Sequence, residues 1–368
     1  MYQFLCRRRS AVAKFFIFAV FGIVLYNEWF IYSVQPIYWL DMECPKDDIS
    51  CTKIMFIADP QIQGEMDVAP PLSYLFNWDS DRYLKSTFRE ALKYFKPNVL
   101  VYLGDLMDEG SISSMVQFHA YVRRLSDIFE VSYPVIQVWL PGDNDIGGEN
   151  EPIRKDKLEE FHAVFDQPSV ITYKNVSFYK VNGITHSYPQ ASEDDNGYRI
   201  VVSHYPVLWR SVFGKQVHDA IRPNVYFCAH EHKSKYVVKD RDWRNIAARP
   251  ITSHDSVMEV ASGGENVYEI YVPTCSYRMG TSTIGYGAAI LVNNNNMLRY
   301  GVLWSPLRFT ALFAYAILAV CSMPPTFSGG LTSAVCGRNG ALRRRFNSDG
   351  GGETYKATMH RRKSPKLH

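Results

Sequence analysis

The sequence predicts a layered α/β domain carried between two apolar segments of membrane-spanning length. Short β-branched runs alternate with amphipathic stretches through the middle of the chain, the pattern of sheets covered by helices. Five of those runs stop at a polar cluster rich in Asp or His. Apolar runs at 15–34 and 303–323 bracket this middle, and basic residues gather outside both.

The first apolar run reads FFIFAVFGIVLYNEWFIYSV, about 20 residues, enough to cross ~30 Å of hydrocarbon at ~1.5 Å per residue. Asn27 and Glu28 interrupt it, which places its inner end near Tyr26 and leaves Trp29, Tyr32 and Tyr38 for the interface. A cleaved signal peptide also begins with charge and an apolar run. The bulky, aromatic exit here, with no prompt small-x-small site, favours an uncleaved anchor. The second run, 303–323, carries only Arg308, and a buried core helix is its rival reading because its dense part, 309–323, is short. The tail beyond it shifts the balance toward a span, since 338–368 holds nine Lys/Arg against Asp349 and Glu353. Cytoplasmic flanks carry excess Lys/Arg, so 1–14 and 324–368 are expected in the cytosol and 41–302 in the lumen. The tail is Gly-, Ser- and Arg-rich without a period and reads as disordered. Lys366 sits third from the end, an imperfect version of a dilysine retrieval signal.

The middle is acidic, which argues against a nucleic-acid-binding body. It holds one glycosylation acceptor, Asn175-Val176-Ser177. Cys44 and Cys51 flank a short polar loop and are candidates for a disulfide, whereas Cys228 reads as a buried strand residue.

The elements follow in order. A strand at 54–58 stops at Asp59-Pro60-Gln61, and a helix at 83–95 aligns Leu84, Phe88, Leu92 and Phe95. The strand 99–103 stops at Gly104-Asp105-Leu106-Met107-Asp108, and a helix at 116–129 aligns Phe118, Val122, Leu125 and Phe129. The strand 135–140 stops at Pro141-Gly142-Asp143-Asn144-Asp145, followed by a helix at 158–165. Strands 199–203 and 225–228 stop at His204 and at Ala229-His230-Glu231-His232. One Asp after a strand is ordinarily a turn residue or cap. Five strands delivering Asp, Gly-Asp, Gly-Asp-Asn-Asp, His and His-x-His make a metal site at the sheet ends where ligands bind. Carboxylate and imidazole donors without a cysteine set suit manganese, iron or zinc.

This series resembles the calcineurin-like metallophosphoesterase superfamily, whose blocks are D-x-H, G-D-x-x-D, G-N-H-D/E, H and G-H-x-H, over about residues 53–285. With the flanking apolar segments, Gly104 to Gly110, Asp145-Ile146-Gly147 and His204-Tyr205-Pro206, it is similar to the membrane metallophosphoesterases that remodel GPI anchors. The resemblance implies a sandwich of two mixed β-sheets flanked by helices, and two divalent ions, manganese foremost. Asp105 would bridge them, with Asp59, Gln61 and His232 on the first ion and Asp143, His204 and His230 on the second. It implies removal of ethanolamine phosphate from the second mannose of GPI anchors. GPI-anchored proteins would be the substrate, with cargo receptors and coat proteins of ER–Golgi transport as further partners. It also implies residence at ER exit sites, the ER–Golgi intermediate compartment and the cis-Golgi.

Three departures stand against the pattern. Gln61 replaces a His ligand, Asp143 replaces Asn, and Asn144 stands where the family has the His that protonates the leaving group or orients phosphate. Asn donates a hydrogen bond but is no proton donor near neutral pH, so Asp145 or a metal-bound water is the alternative acid if protonation is needed at all. Arg278, after Val272-Pro273-Thr274-Cys275-Ser276, suits a phosphate contact, or is a loop arginine. Glu109 and Glu149 lie near the ligand clusters and are candidates to meet the ethanolamine cation. The competing readings are an esterase for another phospholipid or a nucleotide, and a catalytically degenerate trafficking factor.

Overall fold

The computed structural model describes residues 2–66, 68–240, 242–261, 263–292 and 297–322, and the basic tail with its expected disorder and Lys366 lies outside them. Two compact units divide the chain at 315/316. The first holds all thirteen strands of the described residues: β1 (Thr52–Ile57), β2 (Val99–Tyr102), β3 (Ile136–Trp139), β4 (Val170–Tyr173), β5 (Val176–Lys180), β6 (Tyr198–Val202), β7 (Val225–Cys228), β8 (Lys235–Lys239), β9 (Asn245–Pro250), β10 (Met258–Ala261), β11 (Val267–Tyr271), β12 (Gly285–Val292) and β13 (Met297–Trp304). The helices are α1 (Tyr2–Leu25), α2 (Ile31–Ser33), α3 (Leu72–Phe95), α4 (Met115–Ile128), α5 (Asp143–Ile146), α6 (Lys155–Val164), α7 (Ser211–Ile221) and α8 (Arg308–Ser322).

Two mixed sheets form. One runs β10-β13-β12-β1-β2-β3 and the other β4-β5-β6-β7-β11-β8-β9. Their inner faces meet through Ile54, Phe56, Val101, Val202 and Phe227, all fully buried, and the Phe56 and Phe227 rings stack 4.0 Å apart. These strands read as continuous apolar runs because both of their faces are covered. The outer face of the first sheet packs on α3 and α4 through Leu84, Phe88, Phe118 and Leu125, the stripe the helical spacing predicts. The outer face of the second is covered by α7. The four layers are therefore helix, sheet, sheet, helix, as expected. Strands β1, β2 and β3 are parallel, as are β5, β6 and β7, so the ends carrying polar clusters gather along one edge of the sandwich.

The flanks differ in part from expectation. Lys14–Ser33 is the one helix among the described residues long and apolar enough to cross a membrane. It does not stop at Asn27 and Glu28, but passes them as a π-helical stretch, Tyr26–Phe30. The expected second segment does not begin at 303: Leu303 and Trp304 complete β13 and pair with β12. Fixing them as a strand leaves an apolar helix starting at Arg308, 15 residues long within the described part. Cys44 and Cys51 are joined in a disulfide, and Cys228 is a buried strand thiol. Asn175 is exposed in the turn between β4 and β5.

Candidate metal centre

Five ligand candidates share an unusual backbone. Asp59, Gln61, Asp105, His230 and His232 all have positive φ, between 43° and 67°. A non-glycine residue in the left-handed region costs free energy, and such residues concentrate at functional sites. Here the turn lets each chain leave its strand abruptly while its side chain stays over the sheet edge. Two glycines complete the fit. Gly104, at φ 94°, lies so close to its neighbours that a Cβ would stand 2.9 Å from His204 Nδ1. At Gly142 a Cβ would stand 2.1 Å from Asp105 Oδ1, so any side chain there would displace the central carboxylate.

Five of the candidate side chains converge in two overlapping groups. Asp143, His204 and His230 place one ligand atom each within 4.8 Å of one another, and Asp59, Asp105 and His204 do the same. His204 Nδ1 is 2.9 Å from the carbonyl oxygen of Leu103, which turns Nε2 toward Asp143 Oδ1 at 2.9 Å and Asp105 Oδ1 at 3.5 Å. His230 Nδ1 lies 3.3 Å from Asp143 Oδ1. His232 stands farther out, with Nε2 4.0 Å from Asp59 Oδ2. Gln61 Nε2 donates to Asp105 Oδ2 at 3.1 Å and lies 3.3 Å from His232 Nε2. It thus faces the cluster with its NH₂, the favourable pairing beside a carboxylate, and a half-turn of the amide would present its oxygen instead.

The electrostatics call for cations. Burial pushes the Asp105 carboxyl well up, and Asp143, Asp59 and Asp145 push it further. Burial opposes protonation of His204, yet Asp105, Asp143 and Asp59 hold that imidazole up at about 10. Asp59 is fully buried, and its Oδ2 accepts no hydrogen bond. Unpaired buried carboxylate is costly, and a divalent ion is the partner this donor set fits. Asp59, Gln61, Asp105 and His232 would hold one ion; Asp105, Asp143, His204 and His230 would hold the other.

Three expected roles change. Asp145 is fully buried and accepts from the backbone N–H groups of Leu106, Met107 and Gly142, so it clamps two ligand loops instead of offering a proton. Burial raises its carboxyl to about 6 against those three donors. Glu109 accepts from the Glu65 and Met66 N–H groups and from Tyr121, and is buried away from any substrate cation. Arg278 donates to the Gln61 carbonyl at 3.0 Å and to Asp108 at 2.7 Å, which commits its fork to bracing the Gln61 loop. Asn144 keeps its place at the centre: its N–H and its Nδ2 both donate to Asp105, at 3.0 and 2.9 Å. Glu149 lies 3.8 Å from His230 at the mouth. There a cleft of about 490 Å³ is lined by Gly148, Glu149, Tyr205, Trp209, Arg210 and His230.

Spacing could not find Glu269. It lies on β11, fully buried, and its Oε1 accepts from the N–H groups of Val207 (2.6 Å) and Leu208 (3.1 Å), just after His204. Burial raises this carboxyl from 4.5 to about 7 against those two donors. The folded value exceeds the unfolded one, so the stability it contributes is complete below about pH 4.5 and is lost as pH rises through 7. Glu269→Gln keeps an acceptor for both N–H groups but cannot ionise. In thermal scans at saturating manganese it should melt higher than wild type above pH 7, by up to about 3 kcal/mol, with the gap closing toward pH 5. Parallel pH profiles for the two proteins would show that Glu269 does not titrate in this window.

Comparison with known proteins agrees with this geometry. Residues 52–234 match the model of the calcineurin-like phosphoesterase family. This stretch, just under half of the chain, is therefore similar to the calcineurin-like phosphoesterases. It is 29% identical over 184 residues to "Metallophosphoesterase 1" of Ailuropoda melanoleuca, covering 49% of this chain and 46% of that protein. It is 30% identical over 172 residues to "Metallophosphoesterase 1" of Danio rerio, covering 46% and 44%. The matches thus span under half the length of these relatives. A solved metallophosphoesterase from Sphaerobacter thermophilus aligns with 75% of this chain and 96% of its own at 12% identity, with a TM-score of 0.36, too low to carry weight.

Proposed function

We propose that this chain is a membrane-held phosphodiesterase that removes ethanolamine phosphate from the second mannose of GPI anchors, using two divalent ions, manganese foremost. The observation that carries the reading is the paired carboxylate–imidazole set opening directly onto the Glu149–Trp209 cleft. Two ions held there would supply Lewis acidity toward the phosphoryl group and activate the attacking water. The chain's own residues do the rest. Asp145 and Glu269 hold the ligand loops at their spacing. Asn144 orients Asp105 and has a second donor position to offer a phosphate oxygen. Glu149 is half exposed at the mouth, where an ammonium group of the substrate would be drawn in.

The apolar Lys14–Ser33 helix and the exposed sequon at Asn175 support a lumenal domain on a membrane anchor. With the resemblance described above they favour the early secretory pathway, where GPI-anchored proteins, cargo receptors and coat proteins would be the partners. The test is direct. Full-length protein in detergent micelles, loaded with manganese, is given a GPI glycan bearing ethanolamine phosphate on the second mannose, and the products are weighed by mass spectrometry. Release of ethanolamine phosphate is expected, with Glu149→Gln raising KM more than it lowers kcat. Hydrolysis of nucleotide or aryl diesters alone would redirect the reading to another ester. Two bound ions without any hydrolysis would favour a degenerate trafficking factor, for which Gln61 and Asn144 are the motive.

A further inference from the structure

The first two turns of α3 are inside-out. Ser73, Asn77, Asp79 and Ser80 are buried, whereas Leu72, Tyr74, Leu75, Phe76 and Trp78 are between 44% and 60% exposed. Met66, on the loop leading to the helix, is exposed as well. From Tyr83 onward the same helix is ordinary, with Tyr83, Leu84, Phe88, Ala91 and Phe95 buried against the sheet. Ser73 Oγ, Asn77 Oδ1 and Ser80 Oγ make no hydrogen bond. A surface facing water penalises such an arrangement twice: each large apolar side chain forgoes its burial, and each unpaired buried polar atom has lost its hydration without a partner. A surface facing lipid favours it, because helices in a bilayer turn small polar residues toward each other and apolar residues outward.

The neighbours of this stretch identify the occupant. Arg82 pairs with Glu28 in the apolar N-terminal helix and stacks on the Trp78 ring at 5.0 Å. Tyr83 meets Tyr32 edge-on at 6.1 Å. Arg308, at the start of α8, pairs with both Asp79 and Glu28. The start of α3 is therefore bound to the foot of the candidate span, whose Phe21, Leu25, Trp29 and Phe30 are exposed in turn. We infer that Leu72–Trp78 of α3 is seated in the acyl–headgroup boundary of the leaflet from which the N-terminal helix emerges toward the domain, a lipid-contact surface of the catalytic domain itself. Trp and Tyr are the side chains this boundary favours. The seat is coupled to the metal centre: Asp79 accepts from Tyr277 at 2.8 Å, and the next residue, Arg278, grips Gln61 and Asp108. Phosphodiesters presented at a membrane surface would thus meet the site at a fixed height.

This inference rests on the N-terminal helix being a span, and the experiment separates the two. Full-length protein with Cys6, Cys321 and Cys336 replaced by serine is labelled with bimane at Leu75→Cys or Phe76→Cys, at Phe21→Cys as the span reference, or at Ile246→Cys as the water reference. Each is reconstituted into phosphatidylcholine vesicles with and without lipid doxyl-labelled at carbon 5. Labels at 75 and 76 should lose about half their fluorescence or more, as at 21, and be shielded from iodide, whereas position 246 should show the reverse. Quenching at 21 but not at 75 or 76 overturns the inference and spares the span. Loss of quenching at 21 as well overturns both. Shielding at 75 from lipid quencher and iodide alike would mean that a second protein surface covers α3, which also overturns it. A labelled variant that loses the wild-type thermal transition is replaced by Tyr74→Cys, so the face is read whichever position tolerates the label.

Discussion

Asp105→Ala should remove both divalent ions and at least ~10³-fold of phosphodiesterase turnover in a single step, the loss of roughly 4 kcal/mol of transition-state stabilisation. No other ligand candidate is so central. Its Oδ1 lies 3.5 Å from His204 Nε2 and accepts the Asn144 N–H, while its Oδ2 accepts from Gln61 and from the Asn144 side chain. A carboxylate so placed touches both halves of the site, whereas Gln61 and His232 reach only one. Gln61→Ala should therefore weaken one ion and leave the other bound. Metal analysis after dialysis, beside turnover of an aryl phosphodiester, distinguishes the two variants. Asp105 also crowds Asp59 and Asp143 without metal, and burial raises its carboxyl well above the usual range. Metal-stripped Asp105→Ala should accordingly melt no lower than metal-stripped wild type, yet gain nothing when manganese is added. Two ions still bound to Asp105→Ala would remove it from the centre of the site.

The seven candidate ligand positions stand out in the sequence because each follows a mainly apolar strand, and the parallel order of β1, β2 and β3 and of β5, β6 and β7 brings those ends together. What was not legible has physical causes. The helical stripe marks α3 only from Tyr83, since the preceding turns bury Ser73, Asn77 and Ser80 and expose their apolar neighbours. A reading that assumes water outside cannot see such a helix. The apolar run at 303–323 concealed a strand end, because Leu303 is as apolar in β13 as it would be in a span. Asp145, Glu109 and Arg278 carry the charges expected of chemistry, but their backbone and side-chain partners use those charges to fix loops. Glu269 lies 65 positions from His204 in sequence and acts on its loop only through the fold.

Asn144→His should raise turnover of a sugar-linked phosphodiester by about 10²-fold while changing an activated aryl diester much less. A general acid typically contributes 10²–10⁴-fold, and the gain is concentrated where the leaving alkoxide is poor. Among the described residues the structure leaves this role open. Asp145 is fully buried with both oxygens on backbone N–H groups, and Asn144, the partly exposed residue beside it, has only an amide to offer. In wild type, bound ions would then supply leaving-group stabilisation, with Asn144 holding Asp105 in place. Asn144→Ala separates these contributions. It keeps the backbone N–H bond to Asp105 but loses the side-chain one, so metal affinity and turnover should fall together by about 10–100-fold on both substrates. The diagnostic quantity is the ratio of rates on the two substrates. That ratio should shift toward the sugar ester in Asn144→His, with a new basic limb in its pH profile, and stay at the wild-type value in Asn144→Ala. If Asn144→His depresses both rates equally, the imidazole disturbs Asp105 instead of donating a proton, and leaving-group protonation is not what limits this site.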